Sequence, residues 1–258
     1  MESTALKTYG LIGFPLSHSF SAGYFKNKFE KEGVLDAQYL NFEISSIKEV
    51  LEVIKSNPSL KGINVTIPYK EQILPFLDKL DEAAKEIGAV NTIKIFRNGD
   101  QIRLKGYNTD VYGFKETLKP LLKNFHLKAL ILGTGGAAKA VEYVLKNIGL
   151  EVLYISRNPE KENERAYSEL NETAIRNFPV IVNSSPIGMY PNIDACPDIP
   201  YEFVDANNLL YDLIYNPAET LFLQKGRAQG ALTQNGLAML ELQAEKAYEI
   251  WTSDHYSY

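Results

Sequence analysis

One stretch restricts the fold more than any other: LKALILGTGGAAKAVEYVL, in which an apolar strand, a tight glycine turn and a helix follow without a break. Gly133, Gly135 and Ala138 form a G-x-G-x-x-A pattern, in the strand-to-helix context where that pattern signifies dinucleotide binding. Each position has its own reason. Gly133 permits a tight turn, Gly135 lets backbone N–H groups approach a pyrophosphate, and Ala138 lets helix and strand pack closely. Gly136 and Ala137 open the helix, whose N-terminus offers free donors and partial positive charge to an anion. The next strand ends YISRN. A site for NAD places an acid there, on the ribose hydroxyls; here Ser156 and Arg157 stand in its place. A guanidinium can pair with a 2′-phosphate and lie on the adenine face, which favours NADP. Taken alone, Arg157 reads better as an exposed arginine at a strand end, and it is the preceding dinucleotide turn that favours the phosphate role; Lys139 reads as a solvated lysine.

The rest of the chain alternates strands and helices, which argues for α/β layers with parallel sheets. TYGLIG, AQYLNFEI and KGINVTIP read as strands. Helices are expected from Ser21 to Glu32 and in SSIKEVLEVIKSN, where Ser46 and Glu49 form a capping box. DEAAKEIG is a short helix, and AVNTIKIF and QIRLKGY form a hairpin around Asn98-Gly99. A second series starts near Asp110, expected as the N-cap of DVYGFKETLKPLL. It continues through the glycine turn, EVLYISRN, FPVIVNSSP and NLLYDLIYNP, and ends in the amphipathic helix NGLAMLELQAEKAYEIW. Two series argue for two domains.

Composition excludes several classes. The 258 residues carry a formal net charge of -5, so nothing provides the basic stripe of a nucleic-acid binder. No apolar run is long enough to span a membrane, and no secretory signal is evident. The single cysteine, Cys196, fits a reducing, cytoplasmic setting. His18, His126 and His255 are far apart in sequence, and no metal-ligand spacing occurs.

In INVTIPYKEQI a lysine, Lys70, follows directly on a strand, at the end where open α/β sheets collect ligands. A ketone accepting hydride needs a positive charge or a proton donor at its oxygen, and Lys70 can supply both. Asp110 is the natural carboxylate to hold its ammonium. The plainer alternative is a surface lysine in a weak ion pair.

Eight stretches, in order, resemble the shikimate dehydrogenase family: PLSHSFS, NVTIPYKE, GAVNT, GYNTDVYGF, GTGGAAKA, NSSPIGM, YDLIYNPAET and NGLAMLELQA. The resemblance implies NADPH-dependent reduction of 3-dehydroshikimate to shikimate, on the route to chorismate and the aromatic amino acids. It implies a mixed α/β substrate domain, residues 1–109 plus 237–258, beside a Rossmann NADP domain, residues 110–236, with a cleft between. By resemblance, Ser19 and Ser21 of the H-S-x-S motif bind the substrate carboxylate, although Ala22 replaces the family's usual proline. Asn64, Thr66 and Asn91 meet the ring hydroxyls, as does Asp110. Lys70 acts with Asp110 at the reacting carbon, and Tyr215 and Gln243 approach the substrate. Asn183, Ser184, Met189 and Gly236 border the cofactor. In isolation these residues also have plainer readings. The serines could cap a helix, and Asn64 and Thr66 could face solvent from a strand. Asn91 could be a turn amide, Gln243 the polar side of a helix, Asn183 a strand end and Met189 packing. The partners implied are the small substrate and the cofactor, with no nucleic acid or membrane, in a monomer or homodimer. Two other readings stay open, an NAD-using quinate/shikimate dehydrogenase, against which Ser21 and Arg157 argue, and a non-catalytic dinucleotide sensor; a methylenetetrahydrofolate dehydrogenase type is set aside, because its Y-x-x-x-K match at Tyr24–Lys28 is a chance one and such a chain lacks GTGGAA.

Overall fold

The structure, a computed structural model, describes residues 6–16 and 19–258. His18 of the serine motif lies outside the described residues. The chain divides into two compact units, one running through Thr109 and taking in Gln243–Tyr258, the other Asp110–Leu242.

The first unit contains β1 (Lys7–Gly13), α1 (Phe20–Glu32), β2 (Ala37–Glu43), α2 (Val50–Ser56) and β3 (Leu60–Val65). After these come β4 (Lys79–Leu80), α3 (Glu82–Ile87), β5 (Thr92–Asn98) and β6 (Gln101–Tyr107). They build a six-stranded mixed sheet in the order β2-β1-β3-β5-β6-β4. β1 runs parallel to both β2 and β3, whereas β5 is antiparallel to β3 and β6. The capping box is present: Ser46 N donates to Glu49 Oε1 at 2.8 Å, and Lys48 N donates to Ser46 Oγ at 3.4 Å. It starts a 3-10 turn, Ile47–Glu49, that leads into α2. The hairpin closes one residue later than its sequence implied. Asn98 pairs with Gln101, so the loop is Gly99-Asp100. Gly99 has φ +57, and among the described residues no non-glycine residue has positive φ. A two-residue turn that needs positive φ only at its first position puts glycine there, and the strand absorbs Asn98.

The second unit contains α4 (Asp110–Leu118), β7 (Lys128–Leu132), α5 (Gly136–Asn147), β8 (Glu151–Ser156), β9 (Glu164–Ala166) and α6 (Glu172–Asn177). It continues with β10 (Val180–Asn183), β11 (Leu209–Asp212), α7 (Leu221–Ala228), β12 (Leu232–Gln234) and the start of α8 (Leu237–Thr252), whose remainder from Gln243 belongs to the first unit. Its six strands, in the order β12-β11-β10-β7-β8-β9, pair in parallel throughout. Read from β9, this is the 3-2-1-4-5-6 order of the doubly wound dinucleotide-binding fold. β7 and β10 are buried almost end to end, as strands covered on both faces must be. Asp110 is the first residue of α4 rather than its cap; an acid in the first turn meets the same helix-end donors.

α7 has no counterpart among the sequence-based expectations. It carries Gly226 in mid-helix, which weakens any helical reading. The glycine is needed because a Cβ there would stand 2.3 Å from Leu210 Cδ2. The early part of α8 belongs to the second unit, where Met239 is 7% exposed in the core, and so that unit extends past residue 236 to Leu242. In the first unit, Ala244, Ala247, Ile250 and Trp251 join Tyr9, Phe25 and Phe29. Trp251 stacks on Tyr9 with centroids 5.0 Å apart, and its indole N–H donates to Ile93 O at 2.9 Å. A Cβ on Gly62 would stand 2.1 Å from Trp251 Cδ1, so glycine at that position is what admits the indole.

Candidate active site

In each sheet the strand order reverses beside the first strand, and open α/β sheets bind ligands outside the carboxyl ends of the strands there. In the first unit that point is between β1 and β3. Thr66 and Lys70 follow β3, and the chain leaving β1 leads to Ser19. Thr66 N donates to Ile12 O at 2.9 Å, which ties the two strand ends together. Because β5 runs back beside β3, with Asn64 opposite Thr92, Asn91 is brought to the same end.

These residues are not on a solvent face. Asn64 and Asn91 are 5% and 3% exposed, and Gln243 is 8% exposed. The Asn64 amide donates to Asn91 O at 3.2 Å and to Thr92 Oγ1 at 3.1 Å, while its Oδ1 accepts from Tyr39 Oη at 2.8 Å. Asn91 Oδ1 accepts from Thr109 N at 2.7 Å, and its amide donates to Thr109 Oγ1 at 3.0 Å and Gln243 Oε1 at 3.4 Å. Asn91 is therefore more than a turn amide, and Gln243 lies on the inner side of α8. Ser19 occupies the N-cap position of α1, yet its side chain makes no capping bond. Its Oγ is buried without a hydrogen-bond partner among the described residues. A buried hydroxyl in that state is costly unless a ligand satisfies it. Ser21 lies on the first turn of α1, with its hydroxyl beside the Tyr39 phenol. Thr66 and Lys70 are half-buried, and the Lys70 carbonyl accepts from Val90 N at 2.8 Å.

In the second unit the strand order reverses between β7 and β10. Gly133 has φ +105, and a Cβ there would come within 3.3 Å of Ser184 Oγ and Ser185 Cβ. Gly135 is exposed, and a Cβ on it would meet nothing within 4 Å, which leaves open space in front of the first turn of α5. Gly136 and Ala137 begin that turn, and Ala138 is fully buried against the sheet. Ser156 Oγ accepts from Asn158 N at 3.2 Å at the end of β8. Arg157 beside it is exposed, and among the described residues no carboxylate pairs with it. A bare glycine turn, free helix-end donors and an unpaired guanidinium fit a phosphorylated dinucleotide.

The residues bordering this turn divide into two kinds. Asn183 is fully enclosed: its Oδ1 accepts from Ser185 Oγ at 2.7 Å, and its amide donates to Asp212 Oδ1 at 3.1 Å. Ser184 Oγ donates to Leu132 O at 2.9 Å. Gly236 is pressed on backbone, since a Cβ there would stand 2.1 Å from Leu213 O. All three shape the rim from within. Met189, by contrast, is 46% exposed and so is not core packing. Tyr215 is half-buried, and that burial pushes its phenol up. Lys70 belongs to the first unit, and Asp110, 8% exposed, to the second.

A family model described as the shikimate dehydrogenase substrate binding domain matches residues 11–93. The curated shikimate dehydrogenase (NADP(+)) of Desulforamulus reducens is 38% identical, over 94% of this chain and 89% of its own. That of Methanococcus maripaludis strain C6 is 40% identical, over 98% and 94%. This chain belongs to the shikimate dehydrogenase family. Shikimate 5-dehydrogenase from Thermus thermophilus, solved in complex with NADP(H) and shikimate, superposes with a TM-score of 0.83 at 32% identity, covering 96% of this chain and 94% of that one. The same fold also serves the 5-ketofructose reductase of a Gluconobacter strain, at a TM-score of 0.83 and 27% identity over 96% and 93%.

Two residues of this shikimate dehydrogenase family member were not singled out in its sequence. Tyr39 joins Ser21 to Asn64, and no local pattern marks it because its partners come from other elements. Asp212 is fully buried and accepts from Asn183, from Ile214 N at 3.0 Å and from Thr220 Oγ1 at 2.6 Å. Burial pushes its carboxyl up to about 6. An acid closing a strand within the apolar run LLYDLI was the available signal. Among the described residues no His, Cys, Asp and Glu group is arranged to hold a metal ion, and no helix is long and apolar enough to cross a membrane.

Proposed function

We propose that this oxidoreductase catalyses the reversible, NADPH-dependent reduction of 3-dehydroshikimate to shikimate, with the first unit binding the substrate and the second the cofactor. The observation that carries the reading is the pairing of two sites in a member of this family: a buried amide and hydroxyl network in one unit, and a bare glycine turn followed by an unpaired Arg157 in the other. NADPH supplies the hydride.

This chain's residues supply the rest. Ser19, with its unsatisfied hydroxyl, and Ser21 donate to the substrate carboxylate. Asn64, Asn91, Thr66, Gln243 and Tyr215 orient the hydroxylated ring. Lys70 places an ammonium at the carbonyl oxygen, offsets the charge that grows there and delivers the proton. Asp110 is the carboxylate that the family resemblance assigns to Lys70. Gly133, Gly135, Gly136 and Ala137 receive the pyrophosphate, and Ser156 and Arg157 the 2′-phosphate. Asn183, Ser184 and Gly236 hold the surrounding loop, and Met189 offers an apolar edge.

Nicotinamide absorbance followed with shikimate and NADP, and in parallel with quinate and NAD, tests the reading directly. The expected result is rapid turnover of shikimate with NADP and little in the other three combinations. Preference for quinate with NAD would move the protein to the quinate/shikimate branch. Binding of NADP without turnover of either acid would make it a sensor. We infer a cytoplasmic enzyme, since Cys196 is free and half-buried.

A further inference from the structure

The geometry points to Tyr39 as a positioning residue for the substrate site: its phenol fixes the Asn64 amide so that Asn64 presents an acceptor, not a donor, to the ligand. The inference rests on the function proposed above. Tyr39 lies on β2, two strands away from Asn64 on β3, with β1 between them. Its ring stacks flat on Phe25 of α1, with centroids 4.4 Å apart and planes 11° apart, so the hydroxyl has little freedom to move. That hydroxyl donates to Asn64 Oδ1 at 2.8 Å. Burial holds the phenol protonated by pushing its pKa up, and the Ser21 hydroxyl alongside pulls the other way.

The donor count then decides what Asn64 can offer. A side-chain amide has two N–H donors and an oxygen with two lone pairs. Both donors are used inside the protein, on Asn91 O at 3.2 Å and Thr92 Oγ1 at 3.1 Å. One lone pair takes the Tyr39 proton, and the single remaining valence is an acceptor. A flipped amide would set its oxygen against Asn91 O and its nitrogen against a hydroxyl whose proton points at it. Asn64 thus accepts from a ligand hydroxyl and discriminates against a ligand that presents only an acceptor there, such as a carbonyl or an ether.

Tyr39→Phe keeps the ring and its stack and removes one oxygen. The expected result is a rise of about tenfold in KM for shikimate, from one lost orienting hydrogen bond. NADP KM should stay unchanged and kcat should stay within about twofold, because the lost contact serves ground state and transition state alike. In an Asn64→Ala background the same substitution should add nothing further, because residues acting as one unit are not additive. An unchanged shikimate KM, a parallel loss for both substrates, or the full tenfold loss in the Asn64→Ala background would each overturn the inference. A wild-type protein that failed to turn over shikimate would strike the proposed function alone. The stability cycle over Tyr39→Phe and Asn64→Ala needs no substrate, and strict additivity there would still reject the positioning role.

Discussion

The two ligand-facing ends of the sheets are built from opposite materials. In the first unit the end of β3 is lined by side chains, with Asn64, Asn91, Thr92, Thr109 and Gln243 in one buried hydrogen-bonded web. In the second, the end of β7 shows a ligand mostly backbone: Gly133, Gly135 and the opening turn of α5. A web of side chains fixes donors and acceptors one by one, so it can recognise the stereochemistry of a small hydroxylated ring. A bare turn offers N–H groups and field, so it recognises negative charge whatever carries it. The first end is therefore suited to specificity and chemistry, and the second to holding a common cofactor, with Ser156 and Arg157 proposed as its discriminating side chains.

The comparison breaks most sharply at Lys70. If the chemistry belongs to the first unit, Lys70→Ala should lower kcat by about 10²- to 10⁴-fold, the range for a lost general acid, while the KM values change little. Steady-state kinetics with saturating NADP and shikimate measures this. Wild-type turnover in the variant would remove the chemistry from this end of the sheet.

Arg157 probes the other end and should act on affinity alone. Arg157→Ala should weaken NADP(H) by roughly ten- to a hundredfold, since a charge-assisted hydrogen bond contributes about 1.5–3 kcal/mol. NAD(H) binding should barely move, because NAD lacks the 2′-phosphate. Calorimetric titration of both cofactors measures the contrast, and an equal loss for both would show that Arg157 serves the fold rather than the phosphate.

The sequence made the second unit's turn legible because its logic is local. Gly133, Gly135 and Ala138 lie within one strand–turn–helix, and each residue type answers to a constraint in the same few residues. The polar web of the first unit is assembled from remote segments: Tyr39 and Asn64 are 25 positions apart, and Asn91 and Gln243 are 152 apart. Spacing cannot reveal such contacts. Only the family resemblance put Asn64, Asn91 and Gln243 forward, and Tyr39, which lies in none of the eight matching stretches, stayed unseen. Gly62 teaches the same point from the core. Its requirement for glycine comes from Trp251, at the far end of the chain. The early expectation for the hairpin failed for a smaller reason, because Asn98-Gly99 and Gly99-Asp100 are both sound turn pairs and the pairing of Asn98 with Gln101 decides between them.

The mildest effect expected is at Asp212, which supports the second unit's rim from beneath. Burial raises its carboxyl from an ordinary value of 3.8 to about 6, against hydrogen bonds from Thr220, Ile214 and Asn183 that lower it. The folded protein therefore holds this proton more tightly than the unfolded chain does. The stabilisation from this group is complete below about pH 4 and is lost as pH rises through 6, since stability falls with pH wherever the folded state binds more protons. A shift of this size corresponds to on the order of 3 kcal/mol between the two limits. Asp212→Asn can keep every bond: its oxygen accepts from Asn183 and Ile214 N, and its amide donates to Thr220 Oγ1, with that hydroxyl turned. The variant should lack this one component of the pH dependence. The difference in urea midpoint between variant and wild type should grow in the variant's favour from pH 4 to pH 7, and NADP affinity at pH 7 should be retained because the loop keeps its support. A pH-independent difference would mean that Asp212 ionises as an ordinary carboxylate. A loss of NADP affinity at pH 7 would mean that the rim depends on its charge, and the second unit would then rely on a buried side chain as the first one does.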